Sequence, residues 1–213
     1  MKNRKCIAAV LMVSALAAAL AAAGCSKTPG REIKVLFIGN SHTYMCDVPG
    51  LTASLAGQDG YTLDAQQCAF SDYYLKDHLE DEETAAKLGS GEYDFVIFQE
   101  HTHPFPDEEE YADSVQKLMA LVPGRKTGFV LYETWARKEE PEAQEMMCRV
   151  NEAVAKSSKA ALAEVGKRWW EKLEEDPDAG LFSKDGEHAS QKGAQFAAQI
   201  LWETIRGEWE NGR

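Results

Sequence analysis

The chain has 213 residues, of which 35 are acidic and 23 are Lys or Arg, so its formal net charge at pH 7 is −12. Such an excess of negative charge disfavours binding to nucleic-acid backbones or anionic lipid surfaces through charge, and no nucleic-acid partner is expected. The length suffices for one domain with a substantial core.

The N-terminal segment, residues 1–24, has the pattern of a secretory signal peptide. A basic head is followed by a long apolar run that ends in small residues just before Cys25. This end resembles the lipobox of bacterial lipoproteins. The resemblance implies cleavage, lipidation of Cys25, a tether over residues 25–32 and a lipid-anchored location on the extracytoplasmic side of the cell envelope. An uncleaved anchor is the alternative, because the run is close to the ~18 residues that can span a membrane, but its alanine richness argues against a stable span.

From residue 33 on, apolar runs of strand length alternate with helical periodicities. Three runs are strong strand candidates, and two are weaker: IKVLFIG (33–39), YDFVIFQ (93–99) and TGFVLYE (127–133), then YTLDAQQ (61–67) and AALAEVG (160–166). Continuous hydrophobicity is typical of parallel strands that are buried on both faces. Amphipathic spacing predicts helices over 111–122, 141–158 and 196–205.

These elements predict the α/β fold class, with one domain over residues 33–213. Strands that alternate with helices form a three-layer α/β/α sandwich with a mostly parallel five-stranded sheet, as in flavodoxin-like folds. Binding groups in such sheets gather at the carboxyl ends of the strands, so the residues after each apolar run are site candidates.

The first strand candidate ends in Gly39-Asn40-Ser41-His42. Gly39 permits a close approach, and Ser41 could then present its hydroxyl at the edge of the sheet. A helix that starts near Thr43 would add backbone N–H groups that favour an oxyanion. The alternative is that Ser41 only caps this helix.

A second polar cluster, SKDGEHASQKG (183–193), precedes the final helical periodicity. Asp185 lies three residues before His188 and could accept the Nδ1 proton of that ring, which is the orientation a histidine general base requires. Ser190 is predicted to cap the final helix.

Together, FIGNSHT and DGEHASQKG resemble the first and last conserved blocks of the SGNH (GDSL-like) hydrolases. The resemblance implies a serine hydrolase in which Ser41 is the nucleophile, His188 the base and Asp185 its partner, with no metal or organic cofactor. The segment YDFVIFQEHT resembles a branch that has Gln-Glu in place of the usual Gly-x-Asn-Asp of the third block.

The resemblance also implies the remaining site residues. The backbone N–H of Ser41 and the Gln99 amide would stabilise the oxyanion, and Ser71 would supply a further N–H because the second block lacks its glycine. From the residues themselves, we expect Asn40 to shape the turn, and His101 and Trp135 to contact the substrate. The expected activity is hydrolysis of short-chain, carbohydrate O-acyl or other small-molecule esters through an acyl-enzyme.

Two other functions stay open. His101 and His103, with His42 and Glu100, could form a zinc or manganese site. An envelope lipoprotein could instead bind a glycan or peptide on this fold without turnover.

Two smaller predictions concern single side chains. A disulfide between Cys46 and Cys68 is possible in an oxidising compartment. His78, in a strongly acidic segment, is predicted to be an exposed helix residue.

Overall fold

The computed structural model describes residues 32–124 and 126–212. The predicted signal peptide, Cys25 and all of the predicted tether except Glu32 lie outside the described residues. No helix within the described part of the chain is long and apolar enough to cross a membrane.

Five parallel strands form one sheet, in the order β2-β1-β3-β4-β5. The strands are β1 (Ile33–Gly39), β2 (Leu63–Ala69), β3 (Phe95–Phe98), β4 (Gly128–Tyr132) and β5 (Ala161–Ala163). Each lies within, or within two residues of, an apolar run that the sequence analysis identified. The predicted α/β fold with a parallel five-stranded sheet is confirmed.

In the described part of the chain, seven α-helices connect and flank the strands. They are α1 (Ser41–Tyr44), α2 (Val48–Gln58), α3 (Glu82–Ser90), α4 (Glu108–Ala120), α5 (Ala143–Ser158), α6 (Val165–Glu175) and α7 (Gln191–Glu210). The three helices predicted from periodicity correspond to α4, α5 and α7. Helices α2, α3 and α6 were not predicted from periodicity.

The sheet separates two apolar cores. Val35 and Phe37 of β1 face the core that α2, α6 and α7 cover, and Leu36 and Ile38 face the core that α3, α4 and α5 cover. Because successive strand residues point to opposite faces, the apolar run over residues 35–38 of β1 serves both layers.

The prediction that His78 is exposed is wrong. His78 lies in a single 3-10 turn, Asp77–Leu79, and is fully buried. Its Nε2 lies 3.0 Å from the carbonyl oxygen of Gly39, and its Nδ1 lies 3.1 Å from Oγ1 of Thr84. The ring therefore fills the space beneath the end of β1, a contact between residues 39 positions apart that local sequence does not show.

The possible disulfide does not form in this structure. Cys46 and Cys68 are both free thiols. Cys68 is buried within β2, whereas the sulfur of Cys46 lies 3.8 Å from the carbonyl oxygen of Ala189.

Candidate active site

The turn after β1 places Ser41 as the first residue of the short helix α1. Asn40 is the N-cap: its Oδ1 accepts the N–H of His42 at 3.1 Å, and its Nδ2 donates to the carbonyl of Tyr73 at 3.0 Å. The alternative that Ser41 caps this helix is therefore wrong. The Ser41 hydroxyl is left for other contacts, and the first N–H groups of a helix lack carbonyl partners within it.

Ser41 meets the polar cluster before α7. His188 Nε2 lies 2.9 Å from Oγ of Ser41, although the two residues are 147 positions apart in the chain. On the other side of the ring, Nδ1 lies 2.9 Å from Oδ2 of Asp185. Because a carboxylate accepts only, Nδ1 carries the ring proton and Nε2 is the acceptor for the serine hydroxyl. This arrangement of serine, imidazole and carboxylate matches the hydrogen-bonded order of a nucleophile, a general base and its orienting group.

Asp185 is held as an anion by its own loop. Its Oδ1 accepts a hydrogen bond from the hydroxyl of Ser183 at 2.6 Å and from the N–H groups of Glu187 at 2.9 Å and His188 at 3.0 Å. Although partial desolvation acts in the opposite direction, these hydrogen bonds and the one to the His188 ring keep the pKa of Asp185 well below its usual value.

The segment that carries Asp185 and His188, residues 182–189, closes on itself; we call it the dyad loop. An antiparallel bridge joins Phe182 to Ala189, and the N–H of Ser183 donates to the carbonyl of His188 at 2.8 Å. Gly186 adopts a φ of 73°, a left-handed conformation that suits glycine. As predicted, Ser190 caps α7, where its Oγ accepts the N–H groups of Lys192 and Gly193.

The segment after β4 supports the dyad loop. The indole of Trp135 donates to the carbonyl of Glu187 at 2.8 Å, and Arg137 donates to the Glu187 carboxylate at 2.8 Å. Trp135 is only 1% exposed and stacks on Trp169 at a centroid distance of 3.8 Å. The expectation that Trp135 contacts substrate is therefore corrected, since its buried indole instead fixes the residue that precedes His188.

Gln99 also has a different position from the one expected. It is buried, and its Oε1 accepts the N–H of Asn40 and the hydroxyl of Thr43, both at 2.9 Å. Its Nε2 donates to the carbonyl of Glu100 at 2.6 Å. Because the side chain is only 1% exposed and its oxygen is bound by the turn itself, the expectation that Gln99 donates to an oxyanion is corrected: Gln99 holds the turn that carries Ser41.

The loop after β2, residues 70–76, lies against the same turn through the Asn40–Tyr73 hydrogen bond. Ser71 and Asp72 are exposed in this loop, and Asp72 has a φ of 67°. Aspartate tolerates this left-handed conformation better than most residues, which accounts for a tight turn without glycine. Sequence reasoning missed Asp72, because an aspartate in a polar segment gives no sign of this conformation.

Glu100 and His101 hold the loop from the side of β3. Oε1 of Glu100 accepts the N–H groups of Leu75 at 3.1 Å and His101 at 2.6 Å. His101 is largely buried, stacks on Tyr74 at 4.1 Å and has its Nε2 3.2 Å from Oδ1 of Asp72. Burial raises the pKa of Glu100 to about 7, although the two N–H groups act against this shift.

The residues of the hypothetical metal site have other partners. Nδ1 of His101 accepts the N–H of His103 at 3.2 Å, and Nδ1 of His103 lies 3.4 Å from the carboxylate of Glu140. Among the described residues, no group of three or more His, Cys, Asp or Glu side chains has an arrangement that could hold a metal ion.

His42 lies beside the catalytic candidates without occupying the position of a base. It is 4% exposed, and its ring centroid is 5.0 Å from that of His188 and 5.3 Å from that of Trp135. Burial, and then the neighbouring imidazoles of His188 and His101, lower the pKa of His42 to about 3, so this ring is neutral at ordinary pH.

No protein-family model matches the chain, and no curated protein matches it. Several solved structures do. A DUF4886 family protein from Bacteroides uniformis has a TM-score of 0.67 at 15% identity, over 83% of each chain. A carbohydrate esterase family 3 protein from Talaromyces cellulolyticus has a TM-score of 0.65 at 14% identity, over 85% of this chain and 100% of that one.

A catalytic mutant of an acetylxylan esterase from Geobacillus stearothermophilus is similar too, with a TM-score of 0.64 at 15% identity over 81% of this chain and 94% of that one. A GDSL-like lipase fold from Parabacteroides merdae is also among the matches. The chain therefore shares the fold of SGNH (GDSL-like) proteins.

Proposed function

We propose that this protein is a serine esterase that hydrolyses short-chain esters, with O-acyl groups on carbohydrate as the substrate class. The observation that carries the proposal is the continuous hydrogen-bonded chain from Ser41 through His188 to Asp185, with both distances at 2.9 Å. A side chain that only stabilised the loop would not need this order of donor and acceptor atoms.

In the proposed mechanism, Oγ of Ser41 attacks the ester carbonyl while Nε2 of His188 takes the hydroxyl proton. Asp185 stabilises the imidazolium that forms, and it stays ionised. The N–H of Ser41 and backbone N–H groups of residues 71–72 are the donors for the oxyanion. His188 then gives the proton to the leaving alcohol, and water, activated by the same ring, releases the acid from Ser41.

Two features support the carbohydrate part of the proposal. Two of the similar structures, at 14% and 15% identity, are a carbohydrate esterase and an acetylxylan esterase. The predicted signal peptide and the predicted lipid on Cys25 would bring the domain to envelope or extracellular polymers. Export and lipid anchoring on the extracytoplasmic side therefore belong to this proposal, and loss of membrane fractionation in Cys25→Ala tests them.

A fluorophosphonate probe tests the activity directly, because it phosphonylates only an activated serine. We expect the intact mass of the wild-type protein to increase by one probe, with the adduct on the peptide that contains Ser41. Ser41→Ala and His188→Ala should lose the adduct while they retain the circular dichroism and melting temperature of the wild type. Ser190→Ala controls for reaction at another serine near the site.

The principal competing function is a glycan- or peptide-binding lipoprotein without turnover. It predicts folded protein that binds a glycan tightly, resists the probe and leaves p-nitrophenyl acetate unhydrolysed. That combination would overturn the esterase proposal. For an active enzyme, a panel that compares acetylated sugars with longer p-nitrophenyl esters identifies the acyl group, and a preference for long chains would contradict the carbohydrate assignment.

A further inference from the structure

His42 is the residue that directly follows the proposed nucleophile, yet its side chain lies in the interior. It is 4% exposed, and its ring contacts His188 at a centroid distance of 5.0 Å with an interplanar angle of 31°. Its other ring neighbour is Trp135, at 5.3 Å. One side chain of the nucleophile turn thus touches both the proposed base and the indole that supports the base's loop.

The ring of His42 is neutral and so has one N–H donor and one acceptor nitrogen. Thr102 does not select between the two nitrogens, because its Oγ1 is 3.4 Å from each of them. The backbone of Glu187 also interacts with this ring as a hydrogen-bond partner, which acts against the lowering of the His42 pKa. The carbonyl of Glu187 accepts the indole N–H of Trp135 at 2.8 Å.

Ser41 and His188 are each fixed by a separate set of contacts. Asn40 and Gln99 hold the turn that carries Ser41, whereas Asp185 and the bridge between residues 182 and 189 hold His188 within the dyad loop. Neither set of contacts determines the distance between the turn that carries Ser41 and the dyad loop that carries His188. His42 is bonded covalently to that turn and packs against that loop.

We infer that His42 is a positioning residue: its imidazole, packed on the His188 ring and on Trp135, sets the base opposite the Ser41 hydroxyl. This inference rests on the proposed esterase function for its kinetic effect. It assigns no proton transfer to His42. A hydrocarbon side chain of the same shape could replace the packing of the His42 ring. It could not donate an N–H to the Glu187 carbonyl.

Two variants separate packing from hydrogen bonding. His42→Phe keeps an aromatic ring but removes the donor, and His42→Gln restores an N–H donor on a flexible side chain. With p-nitrophenyl acetate, we expect His42→Phe to lower kcat about 10- to 100-fold with KM within twofold, and His42→Gln to recover at least fivefold of the loss. Tyr44→Phe, an exposed position in the same short helix, is the matched control and should retain wild-type kcat.

An NMR measurement makes the inference testable without turnover. The His188 Nδ1–H should give a low-field proton resonance through its hydrogen bond to Asp185, assigned by its loss in Asp185→Ala. In His42→Phe this resonance should broaden or shift, because the ring is less well fixed, while ¹⁵N signals of wild-type His42 should stay those of a neutral imidazole from pH 5 to pH 8.

The outcomes separate the two proposals. Absence of probe labelling and ester hydrolysis in the wild type would refute the esterase function, and the NMR comparison would still decide the role of His42. An unchanged His188 resonance together with unchanged kcat in His42→Phe would overturn the positioning role.

Discussion

Ser183 donates a hydrogen bond of 2.6 Å to Oδ1 of Asp185, the carboxylate oxygen that does not contact the His188 ring. Two backbone N–H groups share this oxygen. One oxygen of the carboxylate is therefore fixed by the loop, and Oδ2 is directed to the imidazole. Because the two oxygens have different roles, Asp185→Asn and Ser183→Ala should affect the Asp185–His188 pair differently.

Asp185→Asn should lower kcat for p-nitrophenyl acetate by about 10²- to 10⁴-fold, with a much smaller change in KM. An amide in this position can donate to Nδ1 and thereby favours the tautomer with the proton on Nε2, which cannot accept the Ser41 proton. Steady-state kinetics and the rate of fluorophosphonate labelling both measure this loss.

Ser183→Ala is the matched control for that substitution. Oδ1 of Asp185 keeps its two backbone donors, so kcat should fall less than tenfold. Equal losses in the two variants would mean that the fold of the loop, rather than the tautomer of His188, limits the reaction.

Gln99→Met should destabilise the protein and impair the site together. The N–H of Asn40 and the hydroxyl of Thr43 are buried and would both lose their acceptor, at a cost of about 2–4 kcal/mol in the free energy of unfolding. Because these groups define the turn that carries Ser41, kcat should fall at least tenfold. Urea unfolding measures the stability change, and Gln116→Met, on the exposed face of α4, should stay within about 0.5 kcal/mol of the wild type.

Glu133→Gln should stabilise the protein at high pH and not at low pH. Glu133 is 1% exposed, its Oε1 accepts the N–H of Lys167 at 2.7 Å, and its Oε2 has no hydrogen-bond partner among the described residues. Burial raises its pKa from 4.5 to about 7, so the folded state keeps a proton that the unfolded chain releases near pH 4.5. The favourable contribution is thus complete below pH 4.5 and is lost as the pH rises through 7.

At pH 8, removal of this buried charge should raise the free energy of unfolding by about 1–3 kcal/mol, and at pH 4 the two proteins should be equal. Thermal unfolding at both values checks the sign. Glu152→Gln, an exposed change on α5, should have no pH-dependent effect. A gain of equal size at both pH values would mean that packing, rather than charge, explains the result.

Two glycines of α7 should respond in opposite ways to substitution by alanine. A Cβ on Gly193 would collide with the carbonyl oxygen of Leu181 and with the Trp169 ring, whereas no atom would lie within 4 Å of a Cβ on Gly207. Gly193→Ala should therefore cost about 1–3 kcal/mol, and Gly207→Ala should add about 0.5–1 kcal/mol through helix propensity. Chemical unfolding compares them, and a stabilised Gly193→Ala would contradict the close packing of α7 against Leu181.

The inner strands β1, β3 and β4 could be predicted from the sequence because helices cover both faces of the sheet there, which makes these strands largely apolar runs. Helix α6 could not. It begins at Val165, two residues after β5 ends at Ala163, so the strand and the first helical turn merge into one apolar run that carries no sign of the boundary. The acidic neighbours of His78 likewise hide its burial, which depends on a distant carbonyl group.

The candidate site also has residues that the sequence predicted and side-chain positions that it did not. Ser41, Asp185 and His188 were predicted from two motifs and from the rule that parallel strands end at one edge, and the structure brings these side chains together. Their catalytic roles stay a prediction. The side-chain directions of Gln99 and Trp135 depend on tertiary contacts with Asn40 and Glu187, and spacing in the sequence contains no information about those contacts.

The bridge between Phe182 and Ala189 makes the dyad loop a small closed unit that already contains the imidazole, its carboxylate and the hydrogen bonds between them. The alignment of Ser41, His188 and Asp185 therefore does not require three side chains to adopt the right rotamers independently. It reduces to one rigid-body placement of this unit on the rest of the domain. Variation that tunes the rate should then concentrate at the residues against which the dyad loop packs, His42, Trp135 and Arg137, while Asp185 and His188 tolerate little change.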